Sequence, residues 1–504
     1  MKKIIALLFL FTSLNIGQVK YFFKSFSDFK FKLDSICNLQ DETLRNNSIN
    51  AFWDTLKAHG KIPFTHGDSV AFIYRGSASS VKWAGDFNGW NPNAINWEGK
   101  KVGAANDVWI NIKSFPSKAR LDYKLVINSS NWITDPSNLL LQYSGVGTYN
   151  SELRMPNWKF PDETLARPEV TKGNISQNFS ISSTNLGYDV YYRVYTPANY
   201  HNLSALPVIY VTDGHEYTDD RLGSMINVLD KLIHYKKIKP IIAVFIDPRS
   251  SPSSGGQNRR GEQYVNNSKF ANFVVEELVP KIDLEFKTNK SPEARAILGT
   301  SLGGLNSAYF GATKSNVFHL IGIHSPAFQA GTSIYNMYQN AEKLPLKVFM
   351  STGTIYDTQS NALQMKSILD SKGYQLMYIE VPEGHSWGNW KALLDEPLIY
   401  FFKDEIQTGM IRNEELPTEF EIINYPNPFN PSTKIWFSIP TQSTVNLEIY
   451  NSIGEKVDTL ISNSQIAPGK YNFEFHPKNY ASEIYFARLQ TESVSILGKM
   501  VFLK

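Results

Sequence analysis

The sequence predicts a multidomain protein: a central doubly wound, mainly parallel α/β sheet, a β-sandwich before it and a small β-sandwich after it. Three observations predict this. Between about residues 180 and 408, buried strand-like runs alternate with helical stretches, the pattern of a parallel sheet covered on both faces. The stretches 62–156 and 419–504 show instead short alternating runs divided by turn residues, the texture of sandwiches. At 504 residues the chain is too long for one core, and its 42% hydrophobic and 13% aromatic content is that of folded protein.

Residues 1–18 read as a signal peptide: Lys2 and Lys3, an apolar run over 4–14, then small and polar residues. That run is too short to span a membrane and none follows, so no span is expected in the mature chain. Cys37 is the only cysteine. An exported chain with one thiol has no internal disulfide and depends on its cores, and Cys37 reads as a buried small hydrophobe. A net charge of +3 is nearly neutral and gives no reason to expect nucleic acid as a partner.

Within the lead segment 19–61, the spacing predicts one or two amphipathic helices over about 26–59, with Trp53 and Leu56 on one stripe. Residues 69–74 then alternate as a strand, and Val81-Lys82-Trp83-Ala84-Gly85 and Leu121-Asp122-Tyr123-Lys124-Leu125-Val126 are others. The stretch 157–179, with Pro161 and Pro168 among polar residues, reads as a linker. From there Val190-Tyr191-Tyr192-Arg193-Val194-Tyr195 and Pro207-Val208-Ile209-Tyr210-Val211-Thr212 are strands, the second running into the loop Asp213-Gly214-His215-Glu216-Tyr217. Helices are expected over about 225–234 and 269–284, with a strand over 240–246 between them.

The chemistry is concentrated in Ala296-Ile297-Leu298-Gly299-Thr300-Ser301-Leu302-Gly303-Gly304. An apolar strand runs into a serine with glycines two residues before and after it, and a helix follows. This is a nucleophile elbow, in which only glycines fit where the backbone passes close, so the hydroxyl is pushed above the sheet edge. Gly384-His385-Ser386-Trp387-Gly388 fits the same spacing. A doubly wound hydrolase uses the order serine, acid, histidine, and after Ser386 the only histidine is His476, in the last module. Ser301 is therefore the candidate nucleophile.

Four histidines follow it: His319, His324, His385 and His476. His319 and His324 flank an apolar strand and read as packing or edge residues. His385 lies in a turn beyond the strand over 374–381, where a base can lean over the nucleophile. The acid must lie between serine and histidine. Asp357, in the loop after the strand over 346–351, is preferred to Asp370 within a helix and to Glu380. Glu383 is the reserve acid, otherwise a solvated loop carboxylate. Oxyanion donors are expected from the N–H of Leu302 and from the loop after Val211 and Thr212, where His215 is the candidate. Asp213 reads as a brace for that loop. The long loop 247–264 offers Arg259 or Arg260 to an acidic or hydroxyl group of a substrate, or else to solvent, and the loop near Trp387 would shape a pocket. No metal and no cofactor is expected.

After a linker at 409–418, residues 419–504 hold alternating strands with no catalytic residue, and His476 reads as a surface group.

Three family resemblances add to this reading. Gly85-Asp86-Phe87-Asn88-Gly89-Trp90, Tyr123-Lys124-Leu125, Asn131-Trp132-Ile133-Thr134-Asp135-Pro136 and Gly147-Thr148-Tyr149-Asn150 resemble the glycogen-binding, early-set immunoglobulin-like domain. That resemblance implies sugar contacts at Trp90, Lys124, Trp132 and Asn150. Tyr195-Thr196-Pro197-Ala198-Asn199-Tyr200, Pro207 to Gly214, Glu276-Glu277-Leu278-Val279-Pro280, the elbow, Gly353 with Asp357, and Gly384-His385-Ser386-Trp387 resemble the feruloyl- and enterochelin-esterase-like α/β-hydrolase family. This implies a serine carboxylic-ester hydrolase. Ile423-Asn424-Tyr425-Pro426-Asn427-Pro428-Phe429-Asn430-Pro431 and the strands after it resemble the type A C-terminal sorting domain of type IX secretion. This implies the secretion machinery as a partner and a secreted or cell-surface location. The combined expectation is a secreted serine esterase acting on acyl, feruloyl or acetyl esters of carbohydrates, with a small-molecule or polysaccharide ester as its substrate. The alternatives are acyl transfer by the same triad, and a surface glycan-binding protein with a vestigial hydrolase domain.

Overall fold

In the strand Ser69–Arg75, successive side chains face opposite ways, and both faces are apolar. Ala71 and Ile73 join Val108 and Ile110 beneath the helices Phe26–Cys37 and Glu42–Ala58, which supply Phe29, Leu33, Phe52, Trp53 and Leu56. Cys37 is buried in the same layer. Val70 and Phe72 face the other way, into a core with Val81, Trp83, Leu121, Tyr123 and Leu125. The first sheet runs in the order Phe64–His66, Ser69–Arg75, Val108–Ser114, Lys100–Lys101. The second runs Val81–Gly85, Arg120–Ile127, Tyr149–Arg154, Leu141–Tyr143, with Asn131–Ile133 beside Arg120–Ile127. The computed structural model describes residues 23–253, 256–403, 417, 419–477 and 480–503. The segment 1–18 read as a signal peptide, and the linker 409–418 apart from residue 417, lie outside the described residues.

The nine-stranded sheet that follows has five parallel neighbours running out to one edge, Val208–Val211, Arg295–Thr300, Leu320–His324, Lys347–Gly353 and Gln375–Val381. Ile242–Asp247 lies parallel on the far side of Val208–Val211, and Asp189–Thr196 pairs antiparallel beyond it. The inner strands Val208–Val211, Ile242–Asp247, Arg295–Thr300 and Leu320–His324 are buried along their whole length and mostly apolar because both faces are covered, whereas Gln375–Val381 is half-buried and carries Gln375 and Glu380. Ile297 packs on one side with Phe270, Leu305 and Met365, while Ala296 and Leu298 pack on the other with Val228, Leu232 and Trp390. All the loops that follow the parallel strands meet at one edge, where ligands of open α/β sheets bind.

Two expectations are altered. The stretch read as a linker is bound to the sheet: Asn174–Ile175 pairs with Asp189–Thr196, and Lys231 Nζ donates to Asp162. Proline and polar residues signalled a break, but the open edge of Asp189–Thr196 has unpaired backbone groups that the segment satisfies. The helix expected over 269–284 is present without a break from 268 to 285, but its middle widens to a π-helical turn, Phe273–Leu278, between Ser268–Asn272 and Val279–Glu285. Pro280 lacks an N–H and its ring collides with the carbonyl four residues back, which a widened turn relieves.

Contacts divide the chain into two units, 1–403 and 404–504. The second holds a three-stranded and a four-stranded sheet around Ile435, Phe437, Val445, Leu447, Tyr485 and Leu489.

Candidate active site

The strand Arg295–Thr300 ends at Ser301 and the helix Leu302–Thr313 begins at the next residue. The serine has φ 58° and ψ −116°, a conformation that costs a non-glycine residue about 1–3 kcal/mol. Its surroundings enforce it. A Cβ on Gly299 would strike the carbonyl of Gly303, and one on Gly303 would sit 2.6 Å from Thr212 Oγ1. The Ser301 N–H is tied to the His324 carbonyl at 2.9 Å, and the first N–H groups of the helix have no carbonyl within it to bond.

His385 Nε2 lies 2.9 Å from Ser301 Oγ, and its Nδ1 lies 2.6 Å from Asp357 Oδ1. The imidazole stands edge-on to Trp390, with ring centres 4.9 Å apart. The Asp357 side chain is fully enclosed. Burial alone would raise its carboxyl, but His385, Ser325 Oγ at 2.6 Å and the Gly353 N–H at 2.6 Å outweigh it and hold the pKa below the usual range. An ionised carboxylate on Nδ1–H leaves Nε2 to accept the serine proton.

The other candidates are elsewhere. Asp370 pairs with Lys366 on a helix surface, and Glu380 accepts from Tyr378. Glu383, read as a solvated carboxylate and the reserve acid, is instead buried: Trp158 Nε1 donates to it at 3.0 Å. Burial pushes its pKa to about 7 even beside Arg120. Local sequence could not show this, because the groups that meet Glu383 are far off in the chain, Arg120 in the first β domain and Trp158 in the segment after it. His324 is also enclosed, at 2.7 Å from Ser351 Oγ, and burial lowers its pKa to about 3, so it stays neutral. His319 lies 3.3 Å from Glu293. His476 is exposed in the second unit.

After Val208–Val211, Asp213 takes a left-handed conformation and His215 stands in the short helix Gly214–Tyr217. The His215 ring lies 3.5 Å from Asp247 and 3.9 Å from Glu216. Burial lowers its pKa against the pull of Asp247. Asp213 is buried and grips Arg260 by two bonds of 3.1 and 2.9 Å. That grip holds Arg260 in the wall of a cleft of about 460 Å³ whose floor includes Ser301 and His385. Glu216 and Trp387 share this wall, and burial with the Asp213 charge pushes Glu216 to about 7. Arg259 lies outside the cleft lining, its guanidinium 3.8 Å over the Tyr188 ring.

The first β domain also lines the cleft, with Trp90, Lys124 and Asn150 and with Ser144, Val146 and Thr148 of the turn after Leu141–Tyr143. Trp132 is 42% exposed and is not part of that lining. A buried charged layer on this side of the cleft was not foreseen in the sequence, and its Asp86 and Asp122 also line the cleft. Arg120, Asp122, Asp86 and Glu152 lie between the β domain and the His385 loop. The signal for Asp86 was its place in Gly85-Asp86-Phe87-Asn88-Gly89-Trp90, whereas nothing local marks Arg120.

Residues 183–401 match the Putative esterase family, and residues 424–503 match the secretion system C-terminal sorting domain. A Bacillus subtilis (strain 168) uncharacterized protein, YjcH, is 26% identical over 241 residues, covering 45% of this chain and 97% of its own. An endo-1,4-beta-xylanase/feruloyl esterase of Xylanibacter ruminicola is 25% identical over 228 residues, 44% of this chain and 30% of that protein. Among solved structures, the enterobactin esterase of Shigella flexneri aligns with a TM-score of 0.55 at 18% identity, covering 66% of this chain and 92% of its own. The corresponding ferric enterobactin esterase of Salmonella typhimurium gives 0.55 at 16% identity, with 66% and 93% covered. These structures share the fold.

Proposed function

We propose, from the premise that the chain belongs to the Putative esterase family through residues 183–401 and so is an esterase, that Ser301, His385 and Asp357 are its catalytic triad. The sorting domain at 424–503 makes it a secreted or cell-surface protein. The observation that carries the triad reading is the continuous relay Ser301 Oγ, His385 Nε2, His385 Nδ1, Asp357 on a strained elbow.

In this reading His385 Nε2 removes the Ser301 proton as Oγ attacks the ester carbonyl carbon. The tetrahedral oxyanion is held by the Leu302 N–H at the helix start and by the backbone N–H of His215. His385 then returns the proton to the leaving alcohol, and the same base activates water to hydrolyse the acyl-enzyme. Asp357 keeps the proton on Nδ1 and balances the imidazolium charge without accepting the proton itself.

The substrates are acyl, feruloyl or acetyl esters of carbohydrates. Support comes from the cleft wall of Trp90, Lys124 and Asn150: an indole suits the apolar face of a sugar, and amide and ammonium groups suit its hydroxyls. The feruloyl esterase named among the relatives supports the aromatic acyl group. The test is hydrolysis of a panel of p-nitrophenyl esters, methyl ferulate and acetylated or feruloylated oligosaccharides, beside Ser301→Ala. Turnover lost in the variant, with preference for the sugar esters, is the expected result. Activity unchanged in Ser301→Ala would remove the nucleophile, and preference for simple esters would remove the carbohydrate.

A further inference from the structure

The loop that carries His385 is seated on the first β domain at the residues on both sides of the histidine. Arg120 Nη1 donates to Ser386 Oγ at 3.1 Å, and the Arg120 backbone pairs with Glu383 in an isolated parallel bridge. A Cβ on Gly384 would fall within the Asp86 side chain, and one on Gly388 would fall within the Arg120 guanidinium. Trp158 holds the Glu383 carboxylate, while the Glu383 carbonyl accepts from the Ile355 N–H of the Asp357 loop at 3.1 Å. The base loop and the acid loop are thus joined at Glu383, and the β domain, through Arg120, and the segment after it, through Trp158, grip that junction.

Arg120 is wholly buried, and each arm of its guanidinium has a task. Nε donates to Glu152 Oε1 at 2.5 Å, Nη2 donates to Asp122, and Nη1 crosses to Ser386. Asp122 is fixed in turn by Asn150 Nδ2 at 3.1 Å, and its N–H donates to Asp86 at 2.8 Å. Tying two domains together does not call for a buried ion cluster, since a well-packed apolar contact does as well or better. What a planar fork held by two carboxylates adds is direction: its remaining arm can meet an acceptor at one place only.

We propose that Arg120 is a positioning residue for catalysis, which through Ser386 sets the His385 imidazole against Ser301, so that the first β domain is a working part of the active site. The inference rests on the triad reading above. Two variants of the full chain test it. Ser386→Ala removes the acceptor and leaves the ion cluster whole, and Arg120→Lys keeps the charge but not the fork. With p-nitrophenyl acetate, too small to fill the sandwich wall, each should lower kcat roughly tenfold to a hundredfold, the cost of a misplaced catalytic group. KM should stay within about twofold, and the acidic limb of the kcat/KM profile should move to lower pH as His385 loses its alignment with Asp357. The double variant should be no slower than Arg120→Lys alone, because both remove one contact.

A fall in thermal stability with kcat and pH profile unchanged in both variants would make Arg120 a structural brace and overturn the inference. If Ser301→Ala kept the wild-type rate, the triad reading would fall and this inference with it. An inactive Ser301→Ala beside fully active Ser386→Ala and Arg120→Lys would sink this inference alone.

Discussion

Ser301 and Ser386 have the same neighbours in sequence, a glycine two residues before and another two after, yet the fold gives them opposite tasks. Ser301 is delivered by a buried strand straight into a helix, with no residue to spare for a turn, and the strain at φ 58° lifts its hydroxyl onto His385. Ser386 comes out of a looser turn in ordinary extended backbone, φ −149° and ψ 158°, and its hydroxyl accepts from Arg120. The glycines differ as well. Gly299 and Gly303 let a helix meet a strand, whereas Gly384 and Gly388 let a neighbouring domain reach the backbone. A motif is thus decided by what delivers the chain to it.

The largest expected contrast is between the serines. Ser301→Ala should lower kcat about 10⁶-fold, against at most about a hundredfold for Ser386→Ala, read by steady-state kinetics. Equal losses would erase the distinction. Asp357→Asn, which reverses the tautomer of His385 with little change of shape, should cost about 10⁴-fold in kcat with the melting temperature nearly kept. The glycines come next. Gly303→Ala presses on Thr212 and Gly388→Ala on Arg120, and each should lose about 1–3 kcal/mol in denaturant unfolding.

A smaller effect separates the two regions by pH. Burial lifts Glu383 to about 7 despite Arg120, and burial with the Asp122 charge lifts Asp86 to about 8. A folded pKa above that of the unfolded chain means the native state binds the proton more tightly. For Glu383 the stabilisation is therefore complete below about pH 4.3 and is lost as the pH rises to about 7. Glu383→Gln should flatten the melting temperature across that window by an amount worth a few kcal/mol at most, and an unchanged slope would show that Glu383 does not titrate there. The least effect belongs to the tryptophans. Trp90→Ala should raise KM for a sugar ester severalfold and Trp132→Ala should leave it alone, since of these two Trp90 lines the cleft and Trp132 does not.

The elbow was legible because a sharp strand-to-helix turn admits few residues, and the spacing of Gly299, Ser301 and Gly303 records that limit. His385 and Asp357 were legible from chain order and from their places after strands. The alternating residues of 69–74 foretold a sheet, but not that both its faces would be covered. The seat of the His385 loop was hidden for a different reason. Arg120 and Ser386 are 266 residues apart, and neither lies in a pattern that requires the other. Trp90, Lys124 and Asn150 were marked by resemblance as a sugar site of their own domain. Only the packing of that domain on the sheet edge brings them to the wall above Ser301.

The most direct test of the account is to label the full chain with a fluorophosphonate and map the adduct by peptide mass spectrometry. The account predicts a single adduct on Ser301, formed rapidly in the wild type and lost when His385 is replaced by alanine. An adduct on Ser386, or an active enzyme that resists labelling at Ser301, would contradict it.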